Sequence, residues 1–183
     1  MVQLSERPGI KKLSTLSDKF TYAISMVYDA ENRFLESQQM MVQCCQNKQL
    51  RSTLENHIRE TEQQVRNLEQ VFELLGEEPQ RITCDAAVGL ISDCQKSMLL
   101  TADHQELIEP GIAGGQLIIE HLEIAFYHCL IKGAEKMGKS QIVQLLQQNL
   151  EQQEQTAKKL EPLMSQLLAE IKSVDGKTAA RSK

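Results

Sequence analysis

The stretch Leu117–Lys132, LIIEHLEIAFYHCLIK, is almost continuously apolar at helical spacing, yet it contains acidic residues. One face of the predicted helix carries Ile119, Glu123, Phe126 and Leu130, so Glu123 occupies a core position. An ionised carboxylate in a helix core is strongly destabilising unless a partner compensates its charge. The stretch therefore predicts a buried helix and, elsewhere in the chain, groups that pair with Glu123.

Length and composition favour one globular domain without a nucleic-acid or membrane partner. The chain has 183 residues, 41% of them hydrophobic, and its net charge of -5 argues against nucleic acid as the main partner. The N-terminus MVQLSERPGIKK lacks the apolar segment of a secretory signal, and no apolar run is long enough to span a membrane. The five cysteines are odd in number and lack C-x-x-C spacing. They predict reduced thiols and a cytoplasmic location.

Apolar periodicity predicts an all-α protein. We expect a flexible lead-in at 1–13, a bundle domain at 14–172 and a disordered tail at 173–183. The first long helix has Ser14, Thr15 and Ser17 as candidate N-caps, and it ends near the turn at 46–48. A second helix ends at Gly76, and a connection over 77–109 carries a short helix at about 84–100. Two more helices follow, at about 112–137 and at about 140–171. Pro162 predicts a kink or an early break in the last helix.

An internal repeat predicts the architecture. An offset of 92 residues maps Glu31 onto Glu123 and the turn residue Gln46 onto Gly138. The same offset maps the apolar positions of the second helix onto those of the last helix. Two helical hairpins joined by one long connection describe a four-helix bundle with a crossover, as in ferritin-like folds.

The spacing of polar residues from the two turns predicts a shared layer. Glu31 lies 15 residues before position 46 and Glu60 lies 14 after it, so both are roughly 22 Å from the turn. The same arithmetic around Gly138 places Glu123 level with Gln152. Glu120 and His57 each lie about one helical turn from a member of this layer, Glu120 from Glu123 and His57 from Glu60.

Di-iron and di-manganese bundles hold their metals with one Glu from each of two helices and a Glu-x-x-His from each of the other two. Glu31 and Glu123 meet the first requirement. The second is not met, because helix two offers the reverse order, His57-x-x-Glu60, and the last helix has no histidine. The sequence therefore predicts a carboxylate site for one or two iron or manganese ions in which one expected member is missing.

Several short motifs resemble the YciF-like, stress-associated branch of the ferritin-like superfamily. The residues that carry the resemblance are Tyr28-Asp29-Ala30-Glu31, His57 with Glu60-Thr61, Gln64-Val65, Leu74-Leu75-Gly76, Thr83-Cys84 and Glu120-His121-x-Glu123. The resemblance covers about residues 15–170. It implies a ferritin-like bundle, often dimeric, that takes part in a bacterial stress response and has no settled catalytic activity. It also implies metal ligands at Glu31, Glu60, Glu120 and Glu123.

The last helix departs from the family pattern. The family usually carries a Glu-Glu pair where this chain has Gln152-Gln153. Glutamine can bind a metal through its carbonyl oxygen but contributes no charge. We therefore expect weaker metal binding, a small shift that brings Glu154 into the site, or a vestigial site, with His57 or Gln152 as secondary ligands. Redox chemistry with a small oxidant such as oxygen or peroxide would accompany a bound metal, although the sequence alone does not establish an enzyme.

The alternative is a bundle without metal. In that hypothesis the carboxylates belong to a buried polar network satisfied by Arg33, Arg59, Arg66, Tyr28 or water, and the protein is a homodimeric or partner-binding scaffold with a degenerate site.

Overall fold

A computed structural model describes residues 12–172, which form five helices. They are α1 (Leu16–Cys44), α2 (Lys48–Leu75), α3 (Asp85–Leu100), α4 (Gln105–Lys136) and α5 (Ser140–Ala169). Residues 1–11 and 173–183, which include most of the predicted lead-in and the whole predicted tail, lie outside the described residues. Among the described helices, none combines the length and the apolarity needed to cross a bilayer.

The four long helices form the predicted bundle. α1 packs against α2 and α4, and α5 packs against the same two helices from the other side. The short helix α3 lies on the crossover and packs against α1 and α4. The offset of 92 maps the end of α1 at Cys44 onto the end of α4 at Lys136, and the start of α2 at Lys48 onto the start of α5 at Ser140. The all-α fold class and the two-hairpin arrangement are therefore confirmed.

Local chemistry fixes several ends of the long helices. Thr15 caps α1 in a capping box with Asp18, and the Asn47 side chain accepts hydrogen bonds from the first backbone N–H groups of α2. α2 ends at Gly76 with φ of 75°, and Gly138 follows α4 with φ of 70°. This left-handed conformation is readily available to glycine, which explains why both helices stop there.

Prolines lie inside two of the described helices without ending either one. α4 begins at Gln105, ahead of the predicted start near Ile112, and Pro110 lies inside it. Pro110 removes only the hydrogen bond to the carbonyl of Glu106 in the first turn, while burial of Ile108 and Ile112 holds the turn in place. The predicted early break at Pro162 does not occur either, because α5 continues to Ala169 with its apolar side chains buried on both sides of the proline.

The interior consists of two apolar cores with a polar layer between them. One core contains Phe20, Ile24, Leu68, Phe72 and Leu146, among others, and the other contains Met41, Leu50, Leu54, Leu160 and Leu163. The polar layer lies along the helices between the two sets, at the height predicted from the turns. A smaller apolar cluster lies beneath α3.

Asp29 anchors the crossover to α1. Its buried carboxylate accepts hydrogen bonds from Arg33 Nε at 2.6 Å, from Arg81 Nε at 2.8 Å and from the backbone N–H of Cys84 at 2.9 Å. Burial alone would raise the pKa of Asp29, but these donors hold it below its usual value. Because Cys84 is the residue before α3, these bonds set where the short helix starts.

We expect Asp29→Ala to destabilise the protein by about 1–3 kcal/mol, because it leaves the buried N–H of Cys84 without an acceptor. Urea denaturation measures this change. The matched control is Asp93→Ala, which removes an exposed carboxylate paired only with Lys96 and should change stability by no more than about 0.5 kcal/mol. Equal effects of the two substitutions would contradict the anchoring role.

Candidate metal centre

Every long helix contributes buried polar side chains to the layer between the apolar cores. They are Glu31 and Gln38 from α1, His57, Thr61, Gln64 and Asn67 from α2, Gln116, Glu120 and Glu123 from α4, and Asn149, Gln153 and Thr156 from α5. Their positions follow from helical periodicity, since each falls on the same face as the leucines and isoleucines on either side of it. The layer thus concentrates three buried carboxylates in an apolar surrounding.

His57 and Glu120 form the closest contact between oppositely charged groups in this layer. The Nε2 atom of His57 lies 2.8 Å from Oε1 of Glu120, although the direction is poor for a hydrogen bond. Burial alone would lower the pKa of His57, but the charge of Glu120 and contacts with Glu120 and Glu60 raise it to about 10. His57 is therefore an imidazolium at neutral pH in the metal-free protein.

Glu123 completes a group of three candidate ligands. Ligand atoms of His57, Glu120 and Glu123 all lie within 4.8 Å of one another, and all three side chains are buried. Such proximity allows one cation to contact all three side chains. Imidazole nitrogen and carboxylate oxygen together suit iron and manganese.

Glu31 lies close enough to Glu123 for each carboxyl group to affect the pKa of the other. The hydroxyl of Tyr127 donates to Glu31 Oε1, and Asn149 Nδ2 donates to that hydroxyl at 3.0 Å. Burial raises the pKa of Glu31 to about 7, and burial together with the charges of Glu31 and Glu120 raises the pKa of Glu123 well above its usual value. The two carboxyl groups therefore retain a proton near neutral pH in the absence of a metal.

Glu60 lies at the edge of the layer, and its side chain is 27% exposed. It accepts a hydrogen bond from Thr156 Oγ1 at 3.0 Å and lies 3.4 Å from Nδ1 of His57. The hydrogen bond with His57 lowers the pKa of Glu60 despite partial burial. Glu60 is thus an ionised carboxylate that joins the buried group to solvent between α2 and α5.

Two glutamines orient the buried carboxylates. Gln116 Nε2 donates to Glu120 Oε1 at 2.7 Å, and Gln153 Nε2 donates to Glu123 Oε2 at 2.7 Å. The other oxygens of these groups have no hydrogen-bond partner among the described residues. The buried unpartnered oxygens are Glu31 Oε2, Gln116 Oε1, Glu120 Oε2, Glu123 Oε1, Gln152 Oε1 and Gln153 Oε1. A layer so rich in acceptors fits a cation.

The structure brings most of the predicted site residues together. Glu31, Glu120, Glu123 and His57 meet in the layer, and Glu60 lies at its edge. Gln152 is only half-buried, and the α5 side chain that contacts Glu123 is its neighbour Gln153. Counting residues from the turn gives the height of a residue along the bundle but not the direction of its side chain around the helix. Gln153 lies on the same face of α5 as Leu146 and Leu160, which are seven residues away on either side.

The basic residues proposed for a metal-free network lie elsewhere. Arg33 pairs with Asp29, Arg59 with Asn56 and Arg66 with Gln63, while Tyr28 donates to Glu69. That version of the alternative was wrong, because these side chains point away from the layer or along the surface of their own helix. The exposed His121 and His128 also lie outside the layer.

Sequence reasoning missed two partners, Tyr127 and Gln116. Both lie one turn from a buried carboxylate on α4, Tyr127 after Glu123 and Gln116 before Glu120. This i to i+4 spacing was the available signal. A tyrosine within an apolar stretch is more easily assigned to the core, which Tyr127 also joins.

In the metal-free protein, the raised pKa of Glu31 means that the native state binds a proton that the unfolded chain has released. This contribution to stability is present below the ordinary value of 4.5 and is lost as the pH rises through about 7. Because glutamine does not titrate, we expect the Glu31→Gln variant not to lose this stability as the pH rises. The stability of the variant relative to wild type should therefore rise between about pH 5 and pH 8.

Urea denaturation of metal-free protein across that pH range measures the difference. Glu73→Gln, which changes an exposed glutamate on α2, is the control and should parallel wild type. If the Glu31→Gln and wild-type profiles are also parallel, Glu31 does not titrate in the buried layer as described.

Known proteins of similar sequence and structure share this bundle. Protein YciF of Escherichia coli (strain K12) is 27% identical over 152 residues, which covers 82% of this chain and 91% of YciF. The crystal structure of the E. coli stress protein YciF matches with a TM-score of 0.81 at 26% identity, covering 87% of this chain and 100% of that chain. YcfI of Rhodopseudomonas palustris matches with a TM-score of 0.79 at 30% identity, covering 82% of this chain and 95% of the YcfI chain.

A family model described as a domain of unknown function (DUF892) matches residues 15–172. The matched range includes all five helices and every residue of the polar layer. The chain therefore belongs to the DUF892 family and is YciF-like in both sequence and structure.

Proposed function

We propose that this chain is a ferritin-like, metal-binding stress protein that holds one or two iron or manganese ions in the polar layer. The ligands would be Glu31, Glu60, Glu120 and Glu123, with His57 and an α5 glutamine as secondary ligands. The observation that carries the proposal is the convergence of unpartnered, buried carboxylate oxygens from α1 and α4 beside His57.

The donor set suits these metals better than it suits zinc or calcium. Structural zinc sites are rich in cysteine and histidine, whereas calcium sites consist of six to eight oxygen ligands and contain no imidazole. Carboxylates with one imidazole match the ligands of di-iron and di-manganese bundles. Cys84 is buried near the layer, but its sulfur is part of the apolar cluster beneath α3.

Charge also supports the proposal. When Glu31, Glu60, Glu120 and Glu123 are all ionised, they carry four negative charges. If the imidazole of His57 is neutral, two divalent cations would balance these charges. In the metal-free protein the imidazolium of His57 and protonation of the Glu31 and Glu123 carboxyl groups provide part of this compensation. A cation would therefore replace protons that already occupy the layer, and its binding should strengthen as the pH rises.

The surrounding side chains would hold the ligands in place. Tyr127, itself fixed by Asn149, positions Glu31, while Gln116 and Gln153 each fix one oxygen of a carboxylate on α4. The apolar cores on both sides exclude water, and Glu60 offers an exposed carboxylate through which a cation can enter. Bound iron or manganese would supply redox chemistry toward a small oxidant such as oxygen or peroxide.

The stress role comes from the relatives, since the E. coli protein is described as a stress protein. We infer a homodimer from the family resemblance alone. The proposal includes no nucleic-acid partner, in keeping with the net charge of -5.

A specific contact favours a second candidate, a metal-free scaffold. The amide of Gln153 donates to Glu123 at 2.7 Å, where a metal-binding relative would carry a carboxylate. Together with the ion pair between His57 and Glu120, this contact compensates part of the buried charge without a cation. In this case the protein would serve as a dimeric or partner-binding bundle with a degenerate site.

The first test is equilibrium dialysis of the purified protein against Mn²⁺ at about pH 7.5. We expect wild type to bind one or two ions and Glu123→Gln to bind at least about tenfold more weakly, because it removes a charged ligand. Glu135→Gln, on the exposed side of the same helix, should bind as wild type does. At a free metal concentration of about 100 times Kd, bound metal should stabilise wild type by about 2.7 kcal/mol.

Glu123→Leu separates the two candidates. Without metal, both predict that the variant is at least as stable as wild type, because an apolar side chain replaces a buried carboxyl group. Only the metal site predicts that Mn²⁺ stabilises wild type and not the variant. Identical melting temperatures with and without Mn²⁺ for wild type would reject the metal site and leave the scaffold.

A gain of function provides an independent test. Gln153→Glu restores a carboxylate beside Glu123, so we expect it to raise the affinity for Mn²⁺ by at least about tenfold. In the metal-free protein the same change should lower stability, because it adds a buried negative charge. Gln148→Glu, on the exposed face of α5, is the control and should change neither quantity. Unchanged Mn²⁺ affinity in Gln153→Glu would show that this position does not face a cation.

A further inference from the structure

A groove rich in sulfur lies on the surface between the C-terminal half of α1 and α3. Its volume is about 330 Å³, and five of its eight lining side chains carry sulfur. They are Met40, Met41, Cys44, Cys94 and Met98. The chain has only five cysteines and seven methionines in 183 residues, so this concentration sets the groove apart from a general apolar surface.

Helical spacing explains why the sulfurs share the groove. Met40 and Cys44 are four residues apart on α1, with the buried Met41 between them, and Cys94 and Met98 are four residues apart on α3. Each pair therefore lies on successive turns of one face. Met40 is 54% exposed and Cys44 is also exposed, while Cys94 and Met98 are half-buried, so the groove is open to solvent at its α1 side.

Cys94 is held in place by a close approach of α4. A Cβ atom added to Gly115 would lie 2.6 Å from the sulfur of Cys94, so the thiol fits only because α4 has a glycine there. All five cysteines are free, which leaves both thiols in the groove available to a ligand. The rigid floor and the open side together describe a site that a small ligand can enter.

The chemistry of the lining selects the class of ligand. No acidic, basic or imidazole side chain lines the groove, and its only polar side chains besides the thiols are Ser37 and Gln95, so it offers neither carboxylate ligands nor a charge for an anion. Thiol and thioether sulfurs are soft donors, which select Cu(I) over hard divalent cations.

We propose that this groove binds Cu(I) through the sulfurs of Cys44 and Cys94, with Met40 and Met98 as thioether ligands. Each thiol that coordinates the ion releases one proton to solvent, and copper remains in the monovalent state throughout. The site is separate from the carboxylate layer and does not depend on the function proposed for it.

An anaerobic titration tests the proposal, with the full chain competing for Cu(I) against bicinchoninate. We expect wild type to extract about one Cu(I) per chain, and the double variant Cys44→Ser, Cys94→Ser to bind at least about tenfold more weakly. Met40→Leu with Met98→Leu preserves the apolar volume of the groove and should also weaken binding, which keeps the test decisive if the cysteine variant folds poorly.

Cys129→Ser is the matched control, because Cys129 is an exposed cysteine outside the groove, and it should leave Cu(I) binding unchanged. Glu123→Gln should also leave it unchanged, which separates this site from the carboxylate layer. Equal Cu(I) affinity in wild type and in both groove variants would overturn the proposal. Loss of binding in Cys129→Ser to the same extent would overturn it as well, since any exposed thiol would then suffice.

Discussion

The structure depends on the compensation of negative charge inside the bundle. Glu31, Glu120 and Glu123 lie in a layer between two apolar cores, and an isolated carboxylate there would be strongly destabilising. All four long helices therefore place polar side chains at one height. The Asn47 cap in the first hairpin turn, Gly138 in the second and the anchoring of the crossover by Asp29 keep these side chains in register.

The charge in this layer can be compensated in two ways, by protons and by metal cations. In the metal-free protein, the imidazolium of His57, protonation of the Glu31 and Glu123 carboxyl groups, and the amides of Gln116 and Gln153 do so. A divalent cation would require the same carboxylates in their ionised form, so proton and metal binding compete. Gln153 shifts the balance toward the metal-free state, since it donates a hydrogen bond where a carboxylate would supply charge. The chain thus has a layer of buried carboxylates in which two glutamine amides stand beside the acidic groups.

Much of the fold could be predicted from the sequence, because the signals were local or repeated. Gly76 and Gly138 marked the helix ends, and the offset of 92 predicted two equivalent hairpins. The early start of α4 and the continuation of α5 were not predicted, since burial of apolar residues around Pro110 and Pro162 outweighs the lost hydrogen bonds. The height of the carboxylates was also predictable from helical rise. The direction of side chains around α5 and the pairing of His57 with Glu120 were not, because they depend on how the two hairpins pack against each other.

An anomalous-scattering map of crystals soaked with Mn²⁺ tests the central claim most directly, because it locates the ion and its ligands together. The claim that the buried carboxylates form a cation site predicts a manganese peak in the polar layer, in contact with Glu120 and Glu123 and with His57 no longer paired to Glu120. A layer without a peak, in which His57 still contacts Glu120 and Gln153 still donates to Glu123, would contradict it.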